Sequence, residues 1–232
     1  MRDFIDFVVA HPVWAIVGVM VIAIIVIITW PTPLPVVLEQ GNDISISAKE
    51  LCVNVQPWTR RLYGQLEPSS WLTASCLSKE NKIVINMNEG LPQPDVIASV
   101  AFKQLFAPNQ DKGTRPLRFL EHALASAKMY PDKLFVVVFF TDGENDYQED
   151  NGALKIVCQN LIDQPNVVRV ALLGLDKVDA SSGADWSSWF HGSDKAIIAT
   201  SAIGCTEATI DHLCSDVKEV GRKIAESIQK GR

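Results

Sequence analysis

The sequence of 232 residues lacks the short motifs with which many enzymes hold a nucleophile, a phosphate group or a catalytic metal. It contains no Gly-x-Ser-x-Gly elbow, no Gly-x4-Gly-Lys-Ser/Thr loop, no Gly-x-Gly-x-x-Gly turn and no His-x3-His pair. Of the four histidines, we expect His122 and His212 to be solvated, because they lie off the apolar stripes of their predicted helices. We therefore predict that the protein is not an enzyme.

Basic clusters and metal-type cysteine spacings are also absent. The formal net charge is −6 and no basic block offsets it, so we expect no nucleic-acid partner. The five cysteines include no Cys-x-x-Cys and no Cys/His spacing, which argues against a zinc site. An odd number permits at most two disulfides, and Cys205 with Cys214 is the first pair to test.

A long apolar run lies near the amino terminus. Residues 13–30 carry no charge, and at the rise of an α-helix they span about 27 Å, close to the thickness of a bilayer core. Trp14 and Trp30 bracket the run at the depths where indole rings prefer to lie. No small-x-small cleavage pattern follows it. We predict a transmembrane helix at 13–30 that acts as an uncleaved signal anchor.

The charges around this run predict its orientation and the domain limits. Arg2 precedes it, and no Lys or Arg follows until Lys49, so the positive-inside rule places the amino terminus in the cytoplasm. The soluble part is then extracytoplasmic, or periplasmic in a bacterium. We predict a flank at 1–12, a proline-rich linker at 31–43 and one domain at 44–232.

The soluble part alternates between strand and helix patterns. Residues 134–140 form an unbroken apolar run that predicts a strand buried on both faces, as in the middle of a parallel sheet. This alternation predicts an α/β fold with a three-layer, doubly wound, mostly parallel sheet. Further strands are predicted at 44–55, 82–87, 167–173 and 195–200, and helices at 63–77, 117–127, 153–162 and 210–228. Residues 95–106 fit either a helix or a strand plus a turn.

Residues 113–175 resemble the second half of a von Willebrand factor A (vWA) domain. Gly113-Thr114 opens a helix, a buried strand ends in Thr141-Asp142-Gly143, and a helix and another strand follow. The resemblance implies a doubly wound sheet with a divalent cation at its carboxyl edge, held by three loops. The first of these loops carries Asp-x-Ser-x-Ser, the second a Thr and the third an Asp. Thr114 and Asp142 match the second and third.

The first loop departs from that pattern if the first strand ends at Val55. Asn54, Gln56 and Trp58 then occupy the motif's positions, and its carboxylate and both hydroxyls are replaced. Magnesium prefers about six oxygen ligands, some of them negatively charged. The two remaining positions, Thr114 and Asp142, supply too few of these ligands. This interpretation predicts a degenerate metal site.

Two functional hypotheses remain open. The first is a membrane-anchored vWA-like scaffold or assembly subunit that binds proteins in a membrane-associated complex without a cofactor. The second is a cation-dependent adhesion site, or a metal-assisted hydrolase, in which Thr114 and Asp142 bind Mg²⁺ or another divalent cation. The predicted partner-binding rim comprises Asn54, Gln56, Trp58, Glu144 and Asp146.

Overall fold

The computed structural model describes residues 13, 16–17, 19–21, 34–44, 49–77, 82–87, 90–92, 113–143, 145–174, 185–190, 192–199 and 206–230. Within this part of the chain, six strands form one sheet in the order β3-β2-β1-β4-β5-β6. The β2–β3 pair is antiparallel, and all other neighbours are parallel. The strands are β1 (Val36–Asp43), β2 (Trp71–Leu77), β3 (Lys82–Met87), β4 (Leu134–Phe140), β5 (Val167–Leu173) and β6 (Ala196–Ile198).

Helices cover both faces of the sheet. Among the described residues from 34 onward, the α-helices are α1 (Lys49–Gln65), α2 (Leu117–Met129), α3 (Asn151–Asp163), α4 (Trp186–Trp189) and α5 (Glu207–Lys230). The buried side chains of α1 and α5 pack on one face, and those of α2, α3 and α4 pack on the other. The predicted mostly parallel sheet with helices on both sides is therefore confirmed.

Strand β4 fills the middle of the sheet, as its apolar run predicts. Val136, Val138 and Phe140 face α1 and α5, whereas Phe135 and Phe139 face the opposite layer. All five side chains are fully buried. Because burial of a large apolar side chain contributes roughly 1.5–3 kcal/mol, this strand is a major source of stability.

The other central strand, β1, was not predicted. Val36–Asp43, which the sequence assigned to the linker at 31–43, lies between β2 and β4. The predicted first strand at 44–55 is wrong over residues 49–55, because these residues belong to α1. The cause is the composition of β1, since half of its residues are polar and yet buried. They are Glu39, Gln40, Asn42 and Asp43.

The remaining boundaries follow the patterns with one further exception. The helix predicted at 63–77 is wrong beyond Gln65, because Pro68 lies in a turn and residues 71–77 form β2. The strands predicted at 82–87 and 167–173 are confirmed to the residue. Residues 95–106 lie outside the described part of the chain.

Most of the predicted membrane span at 13–30 also lies outside the described residues, as does the flank at 1–12. The described positions of the span, 13, 16–17 and 19–21, are helical and exposed. In the part of the chain that the structure describes, no helix is both long and apolar enough to cross a bilayer. The span and the signal anchor stay predictions.

Candidate functional site

Three chain segments meet around Asp43 at the carboxyl edge of the sheet. Asp43 ends β1, and the register of β1 with β4 pairs Asn42 with Phe140, so Asp43 lies beside Thr141. The Thr141 hydroxyl donates to Asp43 Oδ2 over 3.2 Å. The Thr114 hydroxyl, just before α2, donates to Asp43 Oδ1 over 2.9 Å. The structure thus brings Thr114 to the edge where Asp142 follows Thr141.

This edge supplies oxygen ligands of the kind that hard cations prefer. Asp43 and Thr114 are fully buried, and Asp142 is nearly so. A buried carboxylate must be hydrogen-bonded or bound to a cation, and its oxygens suit Mg²⁺ or Mn²⁺. Within the described residues, no group of three or more His, Cys, Asp and Glu side chains lies close enough to hold a metal. A cation site at this edge would therefore depend on the carboxylates of Asp43 and Asp142 and on hydroxyl oxygens.

Asp43 is the central residue that the sequence interpretation missed. The sequence from this residue reads Asp43-Ile-Ser-Ile-Ser47, which is the Asp-x-Ser-x-Ser pattern of the first loop. Ser45 and Ser47 lie outside the described residues. The signal was present in the sequence, but the prolines before β1 and the polar residues within it made the segment look like a linker.

The predicted position of the first loop is wrong for the same reason. Asn54, Gln56 and Trp58 lie in α1 and not in a loop after the first strand. The Trp58 ring is partly buried and stacks on Phe140, with 5.9 Å between ring centroids. Glu144 lies outside the described residues. Contact of the predicted rim with a partner stays a prediction.

Asp146 holds the second loop against the third. The Thr114 backbone N–H donates to Asp146 Oδ2 over 2.6 Å, and the Asp146 N–H donates to the Thr114 carbonyl over 3.3 Å. Gly113 adopts φ +113°, where an added Cβ would lie 3.3 Å from Tyr147. A side chain is disfavoured at this position both by the backbone conformation and by the close approach. The position of Thr114 thus depends on Asp146 and Gly113 together.

A charged pair reinforces the same loop contact. Arg115 donates to both carboxylate oxygens of Asp150 over 2.6 and 3.0 Å. Its guanidinium also lies 4.9 Å from the centre of the Tyr147 ring. The hydrogen bond from Arg115 lowers the pKa of Asp150, and Asp150 in turn raises the pKa of Arg115. A bidentate pair restricts both side chains and fixes the two loops in one arrangement.

Trp186 supports the turn that follows Asp142. Its indole N–H donates to the Gly143 carbonyl over 3.0 Å, and its ring is fully buried. The ring meets Phe139 edge to face, with 5.3 Å between centroids. Gly143 has φ 89°, a conformation that glycine adopts without steric cost. The third loop is therefore fixed from below by the aromatic core.

A polar network lies beneath the site on the α1 face of β1. The Gln40 side-chain amide donates to Asn42 Oδ1 over 2.8 Å and to Thr59 Oγ1 over 3.0 Å. The Tyr63 hydroxyl donates to Gln40 Oε1 over 2.7 Å. Burial raises the pKa of Tyr63, so its hydroxyl remains a donor. These bonds explain how polar residues are accommodated in a central strand.

The opposite face of β1 carries the buried carboxylate of Glu39. Glu39 is 1% exposed, and its Oε2 lies 3.4 Å from Nδ1 of His122 on α2. The prediction that His122 is solvated is wrong, because the ring is half-buried against this carboxylate. The contact with Glu39 raises the pKa of His122 above its usual range.

Sequence comparisons give no match, either to a family model or to a curated protein. Solved structures do match. A von Willebrand factor type A protein from Catenulispora acidiphila has a TM-score of 0.57 and 17% identity, over 82% of this chain and 42% of that one. An aerotolerance-related membrane protein from Bacteroides fragilis has a TM-score of 0.56 and 14% identity, over 79% of this chain and 99% of that one.

The third comparison concerns a structure that contains a metal. Manganese-loaded TRAP protein from Plasmodium vivax has a TM-score of 0.54 and 16% identity, over 80% of this chain and 72% of that one. This chain spans less than half of the Catenulispora protein. At such identities a match shows the fold and not the function. The chain has a vWA-like fold.

Proposed function

We propose that the protein is a membrane-anchored, non-catalytic module that binds a protein partner through a divalent cation at the carboxyl edge of its sheet. The observation that carries this proposal is the buried contact between Thr114 and Asp43, beside Asp142. These residues come from three separate segments of the chain, and a cation is a common means of joining such segments into one surface.

The cation would be held by oxygen atoms alone. Asp43 and Asp142 would supply the negative charge and Thr114 a hydroxyl group, and the Asp-x-Ser-x-Ser pattern makes the hydroxyls of Ser45 and Ser47 further candidate ligands. When bound, the cation supplies a positive charge that a carboxylate of a partner can approach. The manganese-loaded TRAP structure supports the proposal, because it combines this fold with a divalent cation.

The proposed location is a membrane, with the partner in a membrane-associated complex. The apolar run at 13–30 supports an anchor, and the match with a Bacteroides fragilis membrane protein is in keeping with it. Because of Arg2, we place the amino terminus in the cytoplasm and the domain outside it. In this arrangement the module acts as a scaffold or an assembly subunit.

We propose binding and not catalysis because the sequence lacks the motifs of an activated nucleophile or a phosphate-binding loop. The side chains around Asp43 have positioning contacts instead. Thr114 and Thr141 donate to its oxygens, and Asp146 fixes the Thr114 backbone.

The cation can be tested on the full-length chain in a mild detergent. We expect Mn²⁺ or Mg²⁺ to raise the melting temperature of chelator-treated protein, because binding at about 100 times Kd stabilises a fold by about 2.7 kcal/mol. Asp43→Asn should abolish this rise. Asp163→Asn, an exposed position at the end of α3, is the matched control and should keep it. No rise in the unaltered protein at millimolar cation would refute the cation site.

The partner is tested separately by co-purification. The unaltered protein should retain a protein partner in Mg²⁺ and lose it in chelator, whereas Asp43→Asn should fail to retain it in either buffer. Retention that is equal with and without chelator would support binding without a cation and would contradict the proposed use of Asp43.

A further inference from the structure

The amino edge of the sheet, opposite Asp43, carries an aromatic and basic surface that the proposed function does not use. We call Trp71, Met129, Tyr130 and Lys133 the amino-edge patch. We propose that this patch contacts the bilayer surface and binds anionic phospholipid headgroups there. The inference rests on the proposed membrane anchor.

The patch lies on both sides of the point where the chain enters the sheet. Trp71 begins β2 and pairs in register with Val37 of β1. Lys133 directly precedes Leu134, which pairs with Val36. Since neighbouring strands lie about 4.8 Å apart, Trp71 and Lys133 flank the first residues of β1. A structure attached directly before β1 therefore lies close to this patch.

The chain before β1 leaves little room between the domain and a membrane. The backbone of Leu34 lies against α5, where a Cβ added to Gly221 would be 3.3 Å from the Leu34 nitrogen. Only residues 31–33 then separate the packed chain from Trp30, the end of the predicted span. The four steps from Trp30 to Leu34 cover at most roughly 14 Å. If 13–30 is a transmembrane helix, the amino edge must lie at the bilayer surface.

The contacts within the patch hold its aromatic rings in place. The Trp71 and Tyr130 rings meet edge to face, with 5.6 Å between centroids and an interplanar angle of 85°. The Lys133 ammonium lies 4.9 Å from the centre of the Trp71 ring. The Asn166 side chain donates to the Tyr130 carbonyl over 3.1 Å, which fixes the turn after α2. The surface is therefore preformed.

The exposure of the patch is unusual for this domain. Among the described residues from 34 onward, the exposed large apolar side chains are Met129 at 68%, Tyr130 at 36% and Ile156 at 59%. Two of these three are neighbours at the amino edge, whereas Ile156 lies on α3. Exposure of an apolar side chain to water next to fixed aromatic rings is unfavourable in free energy. Burial of this side chain against another surface removes the unfavourable contribution.

The chemistry of the patch fits a lipid headgroup layer. Trp and Tyr rings prefer the membrane interface, because each combines an apolar body with a polar group. Lys133 and the exposed Lys128 add positive charge that attracts anionic phosphates, against one acidic residue, Asp132, in the same turn. The site around Asp43 lies at the other end of β1, about 25 Å away along eight residues, and faces away from the lipid.

Photo-crosslinking in nanodiscs tests the inference on the full-length chain. A benzoylphenylalanine is placed at Met129, and the same group at the similarly exposed Ile156 is the matched control. In nanodiscs that contain anionic phospholipid, we expect lipid adducts at Met129 and not at Ile156. Lys133→Gln should lower the adduct yield at Met129 about fivefold. This factor corresponds to the contribution of one lysine to the binding of a protein to an anionic membrane surface. Lys155→Gln on α3 should leave the yield unchanged.

The outcomes separate this inference from the proposed anchor. Release of the chain from membranes by alkaline carbonate would refute the anchor itself. Retention of the chain in the membrane, with equal lipid adducts at Met129 and Ile156, would overturn the patch and leave the anchor standing. Adducts from Met129 to another protein chain would assign the amino edge to a protein contact and would equally overturn the lipid assignment.

Discussion

The two central strands, β1 and β4, lie side by side and differ in nearly every property. β4 is apolar throughout and is stabilised by packing on both faces. β1 carries four buried polar side chains. Gln40, Asn42 and Asp43 form hydrogen bonds, and Glu39 lies against His122 of α2. The comparison indicates that β4 supports the fold, whereas β1 connects the fold to the candidate site.

The largest effect on stability is expected from a substitution in β4. Phe139→Ala should lower the free energy of unfolding by about 3–5 kcal/mol, because it leaves a cavity between Phe119 and Trp186. Chemical denaturation of the full-length chain in mild detergent measures this change. Phe139→Leu is the matched control and should cost clearly less. A loss under 1 kcal/mol for the alanine variant would contradict the assigned role of β4.

A side chain added to β1 should have the next largest effect. A Cβ at Gly41 would lie 3.0 Å from the Leu77 side chain and 3.1 Å from the Phe119 ring. Gly41→Ala should therefore destabilise the protein by about 1–3 kcal/mol through overpacking. Gly152→Ala is a suitable control, because a Cβ there meets nothing within 4 Å. Equal stability of the two variants would show that β1 tolerates closer packing than the distances indicate.

Removal of one hydroxyl tests the polar network of β1. Tyr63→Phe deletes the donor to Gln40 Oε1 and should cost about 1 kcal/mol in unfolding free energy. Tyr130→Phe, which keeps the ring contact with Trp71, is the matched control and should change stability little. A neutral Tyr63→Phe would indicate that the network contributes nothing to stability.

The smallest effect on stability is expected from substitution of His122, and this effect depends on pH. Because folding raises the pKa of His122, its contribution is complete below about pH 6.5 and is lost as the pH rises through the raised value. Unfolding free energies of the unaltered protein and of His122→Gln should therefore differ most at low pH and converge at high pH. A difference that grows with pH would contradict the pairing with Glu39.

The same contrast explains what could be predicted from the sequence. Unbroken apolar runs and helical spacing predict β4, β5 and α5 well, because these elements are stabilised by burial that the residue types themselves reveal. The identity of β1 could not be predicted in this way. Glu39 and Gln40 look like linker residues until α1 and α2 supply their partners, which are distant in sequence. The resemblance predicts Thr114 and Asp142 as site residues, but it did not lead to Asp43, because β1 was not predicted as a strand.

The buried indole of Trp186 gives the candidate site an intrinsic spectroscopic probe. Its N–H donates to the carbonyl of Gly143, the residue after Asp142. The chain contains six tryptophans, and each indole proton gives one signal in a nitrogen-edited NMR spectrum, so Trp186→Phe identifies the relevant resonance by its disappearance. A titration with diamagnetic Mg²⁺ that moves this resonance would report occupancy of the carboxyl edge without any label.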